Sequence, residues 1–463
     1  SSLWAGCAAP AAAPSRTEVP EERRVPESPA KEMGKAFLKE ALLHYQFVKD
    51  PEVVGLVNQV GKRIVEQIGS SPDSYHFFVV REDQPNAFAI PGGYIFVFDS
   101  LLTQVQSVDE LAGVLAHEIG HVERNHFFKD NKKLAAMDIA TIAAIILGGG
   151  QLAPLVIAGA ASADVRLHFS RENENEADSY ALQYLKKSGF DPQGLPGFFK
   201  SLLQYERFNP QLVPAYMATH PDLNSRLTRL EGLLQKESAA TGEDPFANSG
   251  KKWERIVTIL SAPKNAAKGE GPFVKPRPSE DNGNLIFDES EERKHYLLGL
   301  TYLKANRPTE AISEYQEAIA RNSTQPVYYT DLALAFLRQQ NVEEAGRYAE
   351  HALRLDPDDA LAHTILGQVE ANSGQVEVSI THFQKALQTD PSDPLTNLNL
   401  SLAYGKKGNE VEETYYSARY LRLNLQPAEA YREFQRVRDM TQKDNPLYLH
   451  ILREISELER DGI

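Results

Sequence analysis

The sequence predicts an α+β protein that is mainly α: a helical domain around one small sheet, followed by an α-helical solenoid. Three observations predict this. An amphipathic helix carries the pattern H-E-x-x-H over His117–His121. Two runs rich in aromatic and β-branched residues, Tyr75–Val80 and Ala87–Phe98, are the best strands in the chain. From Glu292 the sequence repeats itself, with Gly299, Ala333 and Gly367 each 34 residues apart.

Composition bounds the rest. The 463 residues, 42% hydrophobic and 24% charged, suit two or three globular domains. A net charge of −15 argues against nucleic acid as a partner. The single cysteine, Cys7, excludes an internal disulfide framework and a cysteine-based zinc site.

The elements follow in order. Ser1-Ser2-Leu3-Trp4-Ala5-Gly6-Cys7 resembles the end of a bacterial lipoprotein signal peptide, with Trp4 in place of the usual Leu or Val. Ala8 to Ala30, dense in Pro, Ala and charge, reads as a tether. Two readings stand. Either Cys7 is lipidated and anchors the chain in the periplasm, on the outer membrane since no Asp follows it, or it is incidental to a cut leader. In the second strand run, Pro91-Gly92-Gly93 is turn chemistry. The Asn86–Val97 hairpin is then either an ordinary core hairpin or an edge that pairs an extended peptide along Asn86, Ala87, Phe88 and Ala89.

Ser107 and Glu110 form a capping box, and Leu111, Val114, Leu115, Ile119 and Val122 follow at helical spacing. His117 and His121, four apart, share one face and can meet on one Zn²⁺. Glu118 stands one residue round, beside the metal, where its carboxylate can take a proton from metal-bound water. A catalytic zinc needs a third protein ligand and an open fourth position. His126 stands five residues beyond His121, does not fit the spacing of a third ligand, and reads as a helix-end residue. Ser170 opens a second helix that Lys186, Lys187 and Gly189 close. On it, Glu174 can complete the ligand set. Asp178, one turn on, can accept the free ring N–H of a ligand histidine.

Between these helices, Ala135 to Ala163 is unusually apolar but broken by Gly148-Gly149-Gly150 and Pro154, so neither half reaches the ~18–20 residues of a membrane span. It is either two buried helices or a mobile flap over the cleft. Further on, His220 precedes Pro221, read as the first position of a leucine-rich helix. His220 either stabilises an oxyanion, or fills the open metal position and silences the site, or simply caps.

His117-Glu118-x-x-His121 followed by Glu174-x-x-Ala177-Asp178, with Asn86–Val97 and Thr219-His220-Pro221, resembles the gluzincin metallopeptidases of family forty-eight. That family includes HtpX and the CAAX prenyl proteases. The resemblance covers about residues 31–240 and implies a zincin-like fold with one Zn²⁺ per chain. It also implies His117, His121 and Glu174 as ligands and Glu118 as the catalytic residue. The C-terminal repeats point to the BepA-like periplasmic subgroup. One departure is the absence of a convincing transmembrane helix.

The expected domains are a tether over 1–30, a metallopeptidase domain over 31–240, a linker over 241–290 and repeats over 291–463. The linker is given a short docking strand at Trp253 to Leu260. In the repeats, small residues such as Gly299, Ala333 and Gly367 allow close helix–helix contact, and aromatics such as Tyr315 and Phe383 fill the gap between pairs. The register slips after Pro394, so Thr414 to Leu425 is read as serving two helix pairs, with Tyr448 to Arg460 as a terminal cap. Such an array either braces the protease or offers a groove to a client or assembly partner.

Two functions are carried forward. One is a zinc endopeptidase of the bacterial envelope that acts on misfolded or misassembled proteins. The other is a repeat-based chaperone or assembly factor for outer-membrane proteins, with proteolysis latent.

Overall fold

The computed structural model describes residues 29–130, 169–208, 214–235, 253, 255–261, 277–278, 285–286 and 291–461. Cys7 and the apolar run over 135–163 lie outside them. Among the described residues, no helix is long and apolar enough to cross a membrane.

The architecture is mainly helical with a three-stranded sheet, then a helical repeat array. Helices α1 (Pro29–His44) and α2 (Pro51–Gln67) precede β1 (His76–Val80), β2 (Ala87–Ile90) and β3 (Tyr94–Phe98). The strand order is β1-β3-β2, with β1 parallel and β2 antiparallel to the central β3. The turn between β2 and β3 needs glycine. Gly93 has φ 90°, and a Cβ there would stand 2.0 Å from the Ser74 carbonyl.

The metal-motif helix is α4 (Val108–Glu123), after the one-turn α3 (Asp99–Leu102). Ser107 caps α4 through the Glu110 N–H, as the capping box predicts. Glu110 departs from that pattern: its carboxylate accepts from the Gln106 N–H, one residue further back, and from the Ser201 hydroxyl. Nearly every residue of α4 is buried. A short α5 (His126–Asp130) follows. Then come α6 (Arg171–Ser188), α7 (Gly194–Phe208), α8 (Ala215–Thr219) and α9 (Leu223–Leu234). The α6 boundaries match the expected Ser170 cap and Gly189 stop, Gly189 being left-handed at φ 78°.

Two expectations are corrected. Pro221 is not the first position of a helix; α9 starts at Leu223, after Asp222 in a left-handed conformation at φ 64°. Trp253 and residues 255–261 are helical, not a strand. Their β-branched run packs Trp253, Ile256, Val257, Ile259 and Leu260 into the same core as α2 and α4, and burial outweighs strand propensity. The Trp253 indole donates to the Val105 carbonyl at 3.2 Å. Part of the expected linker therefore belongs to the first domain's core.

Ten helices run from Glu291 to Asp461 in the repeat array. The small residues lie against the aromatics: a Cβ on Gly299 would meet the Tyr315 ring, and one on Gly367 the Phe383 ring. The helix Glu410–Leu423 packs against both Pro394–Lys407 and Pro427–Met440, as the slipped register predicts. The array is tied to the first domain by a buried junction. Arg255 Nη2 donates to Asp331 Oδ1 at 3.0 Å and to Glu52 Oε1 at 2.7 Å, and Lys304 reaches Asp50 at 2.6 Å.

Candidate metal centre

The centre is assembled where α4 and α6 cross. Gly120, inside the H-E-x-x-H motif, allows the crossing: a Cβ there would already stand 3.3 Å from the Ala177 carbonyl on α6. Close approach brings the first turns of α6 over the histidines of α4. His117 Nε2 and His121 Nε2 are 3.0 Å apart. Glu174 Oε2 is 3.5 Å from His117 Nε2, and its Oε1 is 3.4 Å from His121 Nε2. His220, at the end of α8, brings Nδ1 to 3.0 Å from Glu174 Oε1 and 3.4 Å from His117 Nε2. One donor atom from each of His117, His121, Glu174 and His220 lies within 4.8 Å of the others, and all four side chains are buried.

Glu118 stands beside this set. Both its carboxylate oxygens are buried without a hydrogen-bond partner among the described residues, and Oε1 is 3.6 Å from His220 Nε2. An unsatisfied buried carboxylate is costly unless something else meets it. The donor set of three imidazoles and a carboxylate, with a carboxylate aimed alongside, fits a first-row divalent metal and a metal-bound water.

The two α4 histidines are supported differently. His117 Nδ1 faces Asp178 Oδ1 at 3.1 Å, and Asp178 is gripped by Arg226 through Nη2 at 2.6 Å and Nε at 2.9 Å. Arg226 also contacts Glu174 and stacks over the Phe199 ring. His121 instead turns Nδ1 to His126 Nδ1 at 3.1 Å, and His126 Nε2 meets Glu176 Oε2 at 3.0 Å. With His121 Nε2 directed at the cluster, its Nδ1–H donates to His126, whose own Nε2–H then donates to Glu176. Arg124 closes the chain on Glu176 Oε1 at 2.7 Å. His126 stands at a helix end, as the spacing suggested, being the first residue of α5, and it is also a buried partner of His121.

Charge follows burial and neighbours. Burial pushes the His117 imidazolium down, but the Asp178 and Glu174 carboxylates outweigh it and hold the ring up at about 9. Burial pushes the Asp178 carboxyl up, but Arg226 and His117 bring it down to about 2. Burial pushes Glu118 up, against the pull of His220 and His117. A metal held by His117 would take the ring without its proton, so uptake at this site would release acid.

Residues 53–234 match peptidase family M48, and residues 296–350 and 330–394 match the tetratricopeptide repeat. The chain carries an M48 peptidase domain followed by tetratricopeptide repeats. It is 26% identical over 380 residues to the beta-barrel assembly-enhancing protease of Yersinia pestis, covering 74% of this chain and 77% of that one. The Escherichia coli protein of the same name is 26% identical over 373 residues, 73% of this chain and 76% of that one. The mitochondrial metalloendopeptidase OMA1 of Schizosaccharomyces pombe is 33% identical over 180 residues, 38% of this chain and 52% of that one. With the buried cluster, these matches make the chain a metallopeptidase.

The M48 domain gathers His117, His121, Glu174 and His220, and sets Glu118 and Asp178 against them. Asn86, Ala87, Phe88 and Ala89 contribute no donor atom to the cluster, and their side chains are buried. Ala87 and Ala89 face the α4 side, and Phe88 faces Phe37 and Phe96. The Asn86 carbonyl accepts from the Phe98 N–H at 2.9 Å. By antiparallel alternation, Phe88 and Ile90 also bond to β3, while Ala87 and Ala89 turn their main-chain groups to the outer edge. A small cleft beside β2 is bordered by Ala89, Pro91, His121, Phe127 and Phe169.

Sequence reasoning missed Arg226, although a signal existed. Arg226 falls between Leu223 and Leu230 on the buried side of α9, where a charge is out of place. It also missed Tyr216, which stacks on His220 with ring centroids 4.4 Å apart. Phe169, 4.0 Å from the His121 ring, was missed too. Nothing in their spacing marks these two.

Proposed function

We propose that this chain is a zinc endopeptidase of the bacterial cell envelope, acting in the periplasm on misfolded or misassembled proteins, with its repeats holding clients or assembly partners. The buried set of His117, His121, Glu174 and Glu118 carries the reading. His117, His121 and Glu174 would hold one Zn²⁺ per chain. Such a metal polarises the scissile carbonyl and lowers the pKa of bound water toward ~7.

The chain's own residues do the rest. Glu118, raised by burial and free of hydrogen bonds, takes a proton from water and delivers it to the leaving amine. Asp178 and Arg226 hold His117 in one orientation, and His126 and Glu176 hold His121. The outer edge of β2 at Ala87 and Ala89 pairs with an extended substrate, whose side chains alternate into the cleft by His121. Names of relatives such as the beta-barrel assembly-enhancing protease support an envelope setting and clients among barrel proteins. A lipid on Cys7 belongs to this reading. Metabolic labelling with a fatty acid, lost on Cys7→Ser, tests it.

His220 favours a second state of the same site. Its Nδ1 already stands with the ligand atoms, so it would serve as a fourth ligand and keep proteolysis latent until α8 moves. The experiment is casein hydrolysis at matched zinc content. Glu118→Gln must abolish it and His220→Ala must raise it. Survival of activity in Glu118→Gln sinks the mechanism. Loss of activity in His220→Ala assigns that ring to catalysis instead.

A further inference from the structure

A groove of about 420 Å³ lies between the sheet of the peptidase domain and the repeat helices. One wall is β1 and α2; the other includes Ser392, Pro394 and Leu425. Among the described residues its charged lining is Lys49, Lys62 and Arg422, with no acidic side chain, in a chain whose net charge is −15. Arg422 is already engaged by Glu454 and Glu457. Lys49 and Lys62 are exposed and form no ion pair among the described residues.

Two backbone features point to what fits there. The His76 N–H donates to the Gly93 carbonyl at 2.9 Å. By parallel alternation His76 and Phe78 bond to β3, and Phe77 turns its N–H and carbonyl to the outer edge. Further along, the Val48 N–H covers the Val79 carbonyl, leaving Phe77 as the open stretch beside the groove among the described residues. The second feature is Gly55. It lies inside α2 and lines the groove, and a Cβ there would meet nothing within 4 Å among the described residues. A glycine inside a helix costs roughly 0.5–1 kcal/mol relative to alanine. Among the described residues no neighbour requires it; a second backbone passing over α2 would.

We propose that this groove binds an extended acidic peptide segment of another protein. The segment bonds to the Phe77 main chain, crosses α2 at Gly55 and sets its carboxylates against Lys49 and Lys62. The site is distinct from the metal centre, because β1 and β2 are opposite edges of the sheet.

The test is fluorescence anisotropy with the full chain and a fluorescein-labelled peptide alternating glutamate and valine. Wild type binds it, and added salt weakens the binding. Lys49→Glu with Lys62→Glu weakens it at least about tenfold. Gly55→Leu, which fills open space and raises helix propensity, weakens it without unfolding the chain. Casein hydrolysis stays at the wild-type level in both variants, which separates this site from the proteolytic reading. The proposal is overturned if wild type does not bind, if the variants bind equally, or if a lysine–valine peptide binds as well. Phosphatidylglycerol vesicles that bind through the same lysines, with no peptide binding, would assign the surface to lipid and overturn it too.

Discussion

Around His117, buried polar groups from α4, α6, α8 and α9 meet at one point. Their contacts from one helix to another join residues 46 to 109 positions apart, from His220–Glu174 to Arg226–His117. In the repeats, buried polar groups form a ladder. Thr330 bonds Asp359, Thr364 bonds Thr396, Tyr328 bonds Glu292, and these partners are 29 to 36 positions apart. Asp359 and Asp393 each cap the first helix of a repeat, so the ladder recurs with the repeat. A cluster closed by distant contacts exists only when the whole domain is folded, whereas a ladder of neighbours is a sum of local terms. A single substitution should therefore act globally in the first region and locally in the second.

The largest effect isolates chemistry from structure. Glu118→Gln keeps the shape of α4 and leaves the ligand atoms in place. Casein hydrolysis should fall about 10²–10⁴-fold, with zinc content and Tm unchanged. A parallel fall in Tm would mean that Glu118 holds the fold as well, and would weaken the division between site and scaffold.

That separation is also why part of the site is legible in the sequence. His117, His121, Glu174 and Asp178 form two pairs four residues apart, and helical periodicity puts each pair on one face before any tertiary information is needed. Arg226 and His220 come from a different stretch, and only packing brings them in. His126 is hidden by local geometry: Asn125 adopts a left-handed φ of 54°, which turns the chain after α4 and brings His126 under His121. The helix around residues 255–261 was read as a strand because a short apolar run has no period that distinguishes the two states. The repeats were legible because the same contacts recur every 34 residues, including the shared helix Glu410–Leu423.

The next effect tests whether the cluster is global. Arg226→Met leaves Asp178 and Glu174 buried beside each other without their cation. The cost should be about 3–5 kcal/mol in denaturant unfolding of the metal-free protein. The pH dependence has a defined sign. Asp178 has its folded pKa depressed to about 2 from an ordinary 3.8, so it stabilises the fold above that ordinary value, and the stabilisation is lost as pH falls through about 2. Arg226→Met should flatten this acid limb. An unchanged limb would show that Arg226 does not set the Asp178 carboxyl.

A smaller effect compares the two histidine supports. His126→Ala removes the acceptor of the His121 Nδ1–H and leaves Glu176 paired with Arg124 and Lys129 alone. Zinc affinity, read by competition with a chelator, should fall about 10–100-fold while the His117 side is untouched. Asp178→Asn should cost at least as much, because it also strands Arg226. Equal zinc affinity in wild type and His126→Ala would leave His126 as packing alone.

The smallest effect belongs to the ladder. Thr364 is buried; its hydroxyl meets the Thr396 hydroxyl at 2.6 Å and the Ala360 carbonyl at 3.0 Å. Thr364→Val conserves shape and removes one link, while Thr396 keeps Asp393 as a partner. The loss should be about 0.5–1.5 kcal/mol. It should appear in hydrogen exchange of Ala360–Asn372 and Pro394–Lys407, and not in α4. Casein hydrolysis and zinc content should match wild type. If Thr364→Val also loosened α4, stability would be passing from the ladder through the Arg255 junction with Glu52 into α2, which packs on the metal helix. The two regions would then form one cooperative unit, and the repeats would tune the metal centre as well as hold a client.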